Sequence, residues 1–178
     1  QLLADLLTVK ERKGTLAGLT VAFVGDGACN MGNSWLLAGA TAGMHVRLAG
    51  PLGYLPDVTM FERARAIGET TGGSVTSAPD PVPMVEGADV VVTDTWVSMG
   101  QTGAEARIAA MAPYQVNEAL MAAAAPGALF LHCLPAHRGE EVTNAVIDGP
   151  QSVVWDEAEN RMHVQKALME YLLLGRIG

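Results

Sequence analysis

The sequence predicts an α/β domain with a doubly wound, mainly parallel sheet flanked by helices, and three observations carry this prediction. Short apolar runs of strand type alternate along the chain with segments of helical periodicity. The runs are almost continuously apolar, which indicates strands that are buried on both faces. The first run ends in a glycine-rich turn that leads into a helical pattern, as at the start of a βαβ unit. We therefore expect a Rossmann-like, three-layer α/β/α arrangement.

The first half of the chain alternates between helix and strand signals that are punctuated by glycine. Leucines at helical spacing, followed by cations and then by Gly14, predict a helix over residues 1–13. A β-branched and aromatic run predicts a strand at 19–24, and helix formers closed by Gly43 predict a helix at 30–42. Similar signals predict a strand at 45–49, a helix at 57–71, a strand at 74–77 and a helical turn at 82–86.

The second half repeats the alternation. A strongly apolar run predicts a strand at 89–93, and two helical patterns follow at 104–112 and 115–123. Further strands are predicted at 128–131 and 152–155. Asp156 and Glu157 carry negative charges that suit a helix N-terminus, and they introduce a last helix over about 157–174.

The composition argues against several classes of function. The chain has 178 residues, of which 49% are hydrophobic and 17% charged, so it is long enough for one globular domain. The formal net charge of -8 makes nucleic acids and anionic membranes poor partners. Neither a membrane-spanning apolar segment nor a basic-then-apolar leader is present in the sequence. We expect a soluble protein.

Two further features bear on the compartment and on completeness. Cys29 and Cys133 are too few for a disulfide framework, and free thiols suit a reducing compartment, so we expect a cytoplasmic protein. The chain starts at Gln1, without a methionine and directly in a helical pattern. We therefore expect it to be a fragment of something longer.

The first candidate site is the turn over residues 25–30. It begins like a dinucleotide-binding fingerprint, but Asn30 stands where the third glycine is expected, and the next strand ends without an acid for a ribose hydroxyl. This pattern argues against a nicotinamide or flavin cofactor. A tight turn that needs glycine explains part of the sequence. In addition, Asn30, Asn33 and Ser34 at a helix N-terminus can hold an anion such as a carboxylate.

The second candidate site begins at Asp94, directly after a buried strand. An aspartate in this position is either a turn-former and helix cap or a ligand for a cation. Ser98 and Gly100 follow, and a loop of such small residues is suited to moving over a bound molecule.

The third candidate site is the Cys133 turn. An apolar run over 129–131 stops at His132 and Cys133, and Pro135 prevents the strand from continuing. The thiol therefore lies at the C-terminal end of a strand, where open α/β sheets bind ligands. Three alternatives remain: a buried packing residue, a zinc ligand with His132 and His137 that lacks a second ligand pair at zinc spacing, or a Cys-His nucleophile without a visible oxyanion motif.

Four motifs are more specific together than any of them is alone. They are Gly25-Asp26-x-x-x-Asn30-Met31-x-Asn33-Ser34, Asp94-x-x-x-Ser98-Met99-Gly100, His132-Cys133-Leu134-Pro135 and Glu157-x-Glu159-Asn160-Arg161-x-His163. This set resembles the ornithine carbamoyltransferases. The resemblance covers the whole chain, which corresponds only to the C-terminal, ornithine-binding half of those enzymes.

The resemblance implies four contacts with L-ornithine, at Asn30, Asp94, Ser98 and Met99. Asn30 would bind the α-carboxylate, and Asp94 with Ser98 would bind the α-ammonium. The sequence departs from the family at Cys29, where relatives usually carry asparagine.

The resemblance also implies contacts with carbamoyl phosphate. Cys133 and Leu134 would lie beside the reacting amine and the carbamoyl group, and Arg161 would contact the carbamoyl oxygen. Gln1 matches the last residue of the family's His-Pro-x-Gln motif. The catalytic residues would be Cys133, Arg161 and Asp94, because the amine must lose a proton to a thiolate or a carboxylate before it attacks, and Arg161 can stabilise the tetrahedral oxygen.

The reaction implied is the transfer of the carbamoyl group to ornithine, which gives citrulline and phosphate in arginine biosynthesis or catabolism. It needs no metal and no cofactor. The family is a homotrimer or a multiple of one, and an absent N-terminal half carries the Ser-Thr-Arg-Thr phosphate loop. We expect helices 1–13 and 157–174 to pack against that half, which would leave Leu2, Leu6 and parts of 164–174 exposed and the chain inactive alone.

Three other functions stay open from the sequence. The first is a carbamoyltransferase for another amine, such as putrescine or a modified ornithine. The second is a non-catalytic module that binds an amino acid. The third is a nucleotide-binding domain.

Overall fold

The computed structural model describes residues 1–97 and 103–176 and has the expected α/β class. Its strands are β1 Thr20–Val24, β2 His45–Ala49, β3 Ser74–Ala78, β4 Val90–Thr93 and β5 Leu129–His132. The helices are α1 Leu2–Lys13, α2 Asn30–Thr41, α3 Val58–Thr71, α4 Pro81–Val85, α5 Ala104–Met111, α6 Glu118–Ala123, α7 Asn144–Ile147 and α8 Val154–Leu174. The strands form one sheet in the order β3-β2-β1-β4-β5, and all four neighbouring pairs are parallel.

The sheet is buried on both faces, as its apolar strands predict. Val21 and Phe23 of β1 point into a core that they share with Trp35 of α2. The alternate residues, Ala22 and Val24, point into a second core on the opposite face. Because helices cover both cores, the molecule has three layers, and its loops are left at the two ends of the strands.

One predicted strand is wrong. Residues 152–155 form a single bridge, between Ser152 and Phe130 of β5, and α8 begins at Val154, one turn before the predicted start at 157. The β-branched run at this position resembles a strand in sequence, but only Gln151 and Val153 exchange main-chain hydrogen bonds with Phe130. The acidic pair Asp156 and Glu157 lies in the first turn of α8, where the helix dipole favours negative charge.

Helices α1 and α8 pack against each other rather than standing free. Asn160 donates to Thr8 Oγ1 at 2.9 Å and to Glu11 Oε2 at 2.8 Å, and Arg12 forms an ion pair with Asp156. These contacts make the first and last helices of the described chain one unit.

The expected apolar exposure is confirmed at one end of this pair and wrong at the other. Leu172, Leu173 and Leu174 in the last turn of α8 are 71%, 82% and 61% exposed. Leu2 and Leu6, in contrast, are half-buried and pack against the core. Among the described residues, no helix has the length and apolar character needed to cross a bilayer.

Candidate active site

The candidate site lies at the C-terminal edge of the sheet, where the strand order reverses. From β1 the chain proceeds to β2 and β3 on one side and to β4 and β5 on the other, so the loops after β1 and β4 diverge and leave a crevice. Val24 pairs with Thr93, and Thr93 pairs with His132. The residues that follow these three strands, including Asp94 and Cys133, therefore begin side by side.

This crevice holds a cleft of about 500 Å³. Six of the eight residues predicted to bind substrate line it: Gln1, Asn30, Asp94, Cys133, Leu134 and Arg161. The other two, Ser98 and Met99, lie outside the described residues. The six come from five separate segments of the sequence, and the fold brings them together.

Cys133 and Asp94 contact each other across β5 and β4. The Cys133 thiol donates to Asp94 Oδ1 at 3.1 Å, and the main-chain N–H of Thr95 donates to the same oxygen at 2.7 Å. Burial raises the pKa of Cys133 well above its usual range, and the negative charge of Asp94 raises it further. The free site therefore holds a neutral thiol beside a carboxylate, and this favours Asp94 over a Cys133 thiolate as the basic group.

A buried histidine fixes the turn that carries Cys133. The ring of His132 accepts from the main-chain N–H of Leu134 at its Nδ1, at 2.9 Å, and its Nε2 lies 3.1 Å from Glu141 Oε1. Leu134 has a positive φ of 50° and is followed by a cis peptide bond to Pro135. Because both ring nitrogens of His132 are engaged inside the fold, the zinc set of His132, Cys133 and His137 is not available in this conformation.

The turn after β1 presents Asn30 at the start of α2. Gly25 has a φ of +128°, which L side chains rarely adopt, and this explains the glycine there. Cys29 is the N-cap of α2, and its sulfur accepts from Gly32 N at 3.3 Å. Burial raises the pKa of Cys29 to about 11, so the cap is a neutral thiol. Asn33 donates to Ala28 O at 3.2 Å and is used within the turn.

Arg107 of α5 is a residue near the site that the sequence did not single out. Its guanidinium forms an ion pair with Asp26, donates to the main-chain oxygen of Trp96, and lies 4.8 Å from the ring centroid of Tyr54. It thus connects the loops that follow β1, β4 and β2. An arginine within a short helix has no local sequence signal for such a role, because the same pattern is typical of a solvated surface position.

The cleft presents complementary polar groups to a small ligand. Asn30 and Arg161 are exposed at its rim, and Asp94 and Cys133 are half-buried at its floor. The hydrogen bonds that described residues make to Asp94 all end on Oδ1, which leaves Oδ2 for a bound amine. An amide, a carboxylate and a guanidinium at separate points suit a molecule with both charged and polar ends.

The chain is similar to known proteins of one family. Residues 17–172 match the model of the family described as aspartate/ornithine carbamoyltransferase, Asp/Orn binding domain. The chain is 61% identical over 174 residues to an ornithine carbamoyltransferase of Clavibacter michiganensis, an alignment that covers 97% of this chain and 57% of that protein. A relative from Rhodococcus opacus with the same description is 56% identical over 180 residues, across 100% of this chain and 57% of its own length.

Solved structures show the same similarity. The ornithine carbamoyltransferase from Pyrococcus furiosus superposes with a TM-score of 0.90 at 50% identity, covering 94% of this chain and 54% of that one. The chain thus spans little more than half the length of the relatives it matches.

Proposed function

Because the chain belongs to the aspartate/ornithine carbamoyltransferase family, we propose that it is the ornithine-binding half of an ornithine carbamoyltransferase. The single observation that carries the proposal is the convergence of Gln1, Asn30, Asp94, Cys133, Leu134 and Arg161 on one cleft at the strand-order reversal. The complete enzyme would transfer the carbamoyl group of carbamoyl phosphate to the side-chain amine of L-ornithine.

In this proposal each polar group of ornithine has a partner. Asn30 binds the α-carboxylate at the N-terminus of α2, where the helix dipole also favours an anion. Asp94 and Ser98 bind the α-ammonium, and Met99 completes the ornithine contacts. The side-chain amine then reaches the Cys133 turn.

The chemistry follows from the states of these groups. The amine of ornithine has a pKa of about 10, like that of lysine, so it must lose a proton before it attacks. Cys133 is a neutral thiol that donates to Asp94 Oδ1, so the sulfur accepts the proton of the amine as the thiol proton moves to Oδ1, while Asp94 Oδ2 stays with the α-ammonium. The amine nitrogen bonds to the carbamoyl carbon, and Arg161 stabilises the oxyanion. Cleavage of the carbon–oxygen bond then releases phosphate, which takes the second proton of the nitrogen, and leaves citrulline.

We place carbamoyl phosphate against Gln1, Cys133, Leu134 and Arg161, which line the same cleft. The phosphate contacts would come from the N-terminal half of the longer protein, which would also cover the exposed leucines at the end of α8. The complete enzyme would be a cytoplasmic homotrimer or a multiple of one, a location supported by the two free cysteines.

The choice of amine can be tested by calorimetry on a chimera, in which the part of the Clavibacter michiganensis relative that this chain does not cover is joined to Gln1. With carbamoyl phosphate replaced by inorganic phosphate, we expect L-ornithine to bind at least about tenfold more tightly than putrescine, which lacks the α-carboxylate that pairs with Asn30. Equal affinities, or tighter binding of putrescine, would show that the site serves another amine.

A further inference from the structure

Two buried acids behind the Cys133 turn have no part in the reaction described above. Asp5 of α1 and Glu157 of α8 are 0% and 1% exposed. The two acids contact each other, and the N–H groups that described residues donate to them are neutral, namely the side-chain amide of Gln1 and the main-chain N–H of His132. Two ionised carboxylates in such a place would be costly, because neither charge is paired with a cation by these bonds.

The amide of Gln1 joins the two acids. Its Nε2 donates to Asp5 Oδ1 at 2.7 Å and to Glu157 Oε1 at 2.9 Å. A primary amide has only two N–H groups, so both are used, and the oxygen Oε1 is left for the cleft that Gln1 lines. The reverse orientation would place the amide oxygen against two carboxyl oxygens. The acids therefore determine which end of the amide meets a ligand.

Electrostatics indicates that the pair holds one proton at neutral pH. Burial raises the pKa of both carboxyl groups, and the negative charge of Asp5 and its hydrogen bond raise the pKa of Glu157 further. Asp5 Oδ2 is buried and receives no N–H from the described residues, so it can accept the shared proton. Around the pair lie the α-amino group of Gln1, the main-chain N–H of His132 and the Cys133 thiol.

We propose that Asp5 and Glu157 are positioning residues that hold the Gln1 amide so that its oxygen accepts a hydrogen bond from the NH2 group of carbamoyl phosphate. The substrate in this statement rests on the proposed function, whereas the shared proton is a property of the chain itself. Glu157 Oε2 also accepts from His132 N at 3.0 Å, so one carboxyl group connects Gln1 to the Cys133 turn. The pair is thereby a determinant of selectivity for a carbamoyl over an acyl group.

Acetyl phosphate is the probe that isolates this role. It carries a methyl group where carbamoyl phosphate carries NH2, so it cannot donate to the Gln1 oxygen. A site built to accept that hydrogen bond should discriminate between the two compounds, since a buried acceptor without its donor is costly. The readout is the ratio of the inhibition constant of acetyl phosphate to the KM of carbamoyl phosphate.

The first experiment is a carbon-13 NMR titration of the carboxyl groups in the isolated chain, which needs no activity. We expect the Glu157 carboxyl to stay protonated through neutral pH and to ionise at lower pH in Asp5→Asn, because that variant removes the neighbouring negative charge. Ionisation of both acids at their ordinary pKa in the parent chain would overturn the proposal, whatever the activity of the complete enzyme.

The second experiment compares three variants in the chimera. Asp5→Leu removes the acceptor for Gln1 and should lower the selectivity ratio at least about tenfold. Asp5→Asn keeps an oxygen for Gln1 and should retain most of the ratio. Asp156→Asn is the matched control, because Asp156 joins α8 to α1 through Arg12 but does not touch Gln1.

The outcomes are distinct. If the selectivity ratio of Asp5→Leu is no lower than that of Asp156→Asn, the proposal that the two acids hold Gln1 is overturned. An equal loss of the selectivity ratio in Asp5→Asn and Asp5→Leu would also overturn it. Circular dichroism will show whether Asp5→Leu folds. If it does not, the carboxyl titration and the selectivity ratio of Asp5→Asn still test the proposal. A chimera that makes no citrulline would count against the proposed function, and the titration would still test the shared proton.

Discussion

The turns after β1 and β5 each place a half-buried cysteine at the C-terminal edge of the same sheet, but the two thiols are used differently. Cys29 accepts a hydrogen bond from Gly32 within its own turn. Cys133 donates to Asp94, which lies on the loop after the neighbouring strand. The first thiol completes a helix N-terminus, and the second connects two loops at the floor of the cleft.

The difference shows that residue type, exposure and position at a strand end do not by themselves identify a reactive site. Burial raises the pKa of both cysteines, so neither is a thiolate. What distinguishes Cys133 is its direct contact with a carboxylate whose second oxygen, Oδ2, accepts no hydrogen bond from the described residues. We therefore assign chemistry to the pair of Cys133 and Asp94, and a structural role to Cys29.

The largest effect on activity should come from substitution of Asp94. In the chimera, Asp94→Asn removes the proton acceptor and should lower kcat/KM for citrulline formation by about 10²- to 10⁴-fold. The control is Asp57→Asn, because Asp57 caps α3 through Met60 N and asparagine is an equally good cap. A loss of similar size in both variants would mean that Asp94 acts only through the fold.

A smaller loss of activity should follow removal of the Cys133 thiol. Cys133→Ala deletes the hydrogen bond to Asp94, and we expect citrulline synthesis to fall and the KM for ornithine to rise, each by about tenfold. The melting temperature should stay close to that of the parent. Unchanged steady-state kinetics would make Cys133 a packing residue like Cys29.

The pH dependence of stability should distinguish the two turns further, because the turn after β5 is hydrogen-bonded to a buried acid, Glu157. The raised pKa of Glu157 contributes stability below its ordinary pKa, and that stability is lost as pH rises through the folded value of about 9. Between about pH 6 and about pH 9, the free energy of unfolding measured in urea should fall more in the parent chain than in Asp5→Asn. The difference should be about 1.4 kcal/mol for each unit by which the variant lowers the pKa of Glu157. Parallel curves would contradict the shared proton.

The smallest effect should come from the other cysteine. Cys29→Ala removes the acceptor for Gly32 N and should cost about 0.5–1 kcal/mol in the free energy of unfolding, measured in urea, while kcat in the chimera stays near that of the parent. Cys29→Asn, which gives the helix a side-chain oxygen as its N-cap, should recover the stability. A drop in kcat comparable to that of Cys133→Ala would remove the distinction between the two thiols.

The sequence predicted the sheet well because each strand has a local sequence pattern that is typical of a buried strand. Val90 to Val92 is an unbroken run of valines, and Gly25 marks a turn that only glycine readily makes. The strand expected at 152–155 failed because β-branched residues favour strands only where a partner edge is available, and here the pairing with β5 is confined to a single bridge.

The site was predictable only where motif residues carried it. Asn30, Asp94 and Cys133 were candidates because they follow predicted strands, the family resemblance implied their roles, and the parallel register explains why the loops that carry them meet. The roles of Asp5 and Arg107 leave no local trace, because they depend on contacts with residues far away in sequence. Glu157 was expected as a charge at a helix N-terminus, and the structure shows that it is also buried against Gln1.

The most direct test of the account is citrulline formation from L-ornithine and carbamoyl phosphate, measured for the isolated chain and for the chimera under the same conditions. We expect turnover by the chimera and little or none by the isolated chain, because we propose that this chain supplies the contacts to ornithine and to the carbamoyl group while the N-terminal half supplies the contacts to phosphate. Robust turnover by the isolated chain would contradict the division of the site between two halves, and an inactive, folded chimera would favour a non-catalytic amino-acid-binding module.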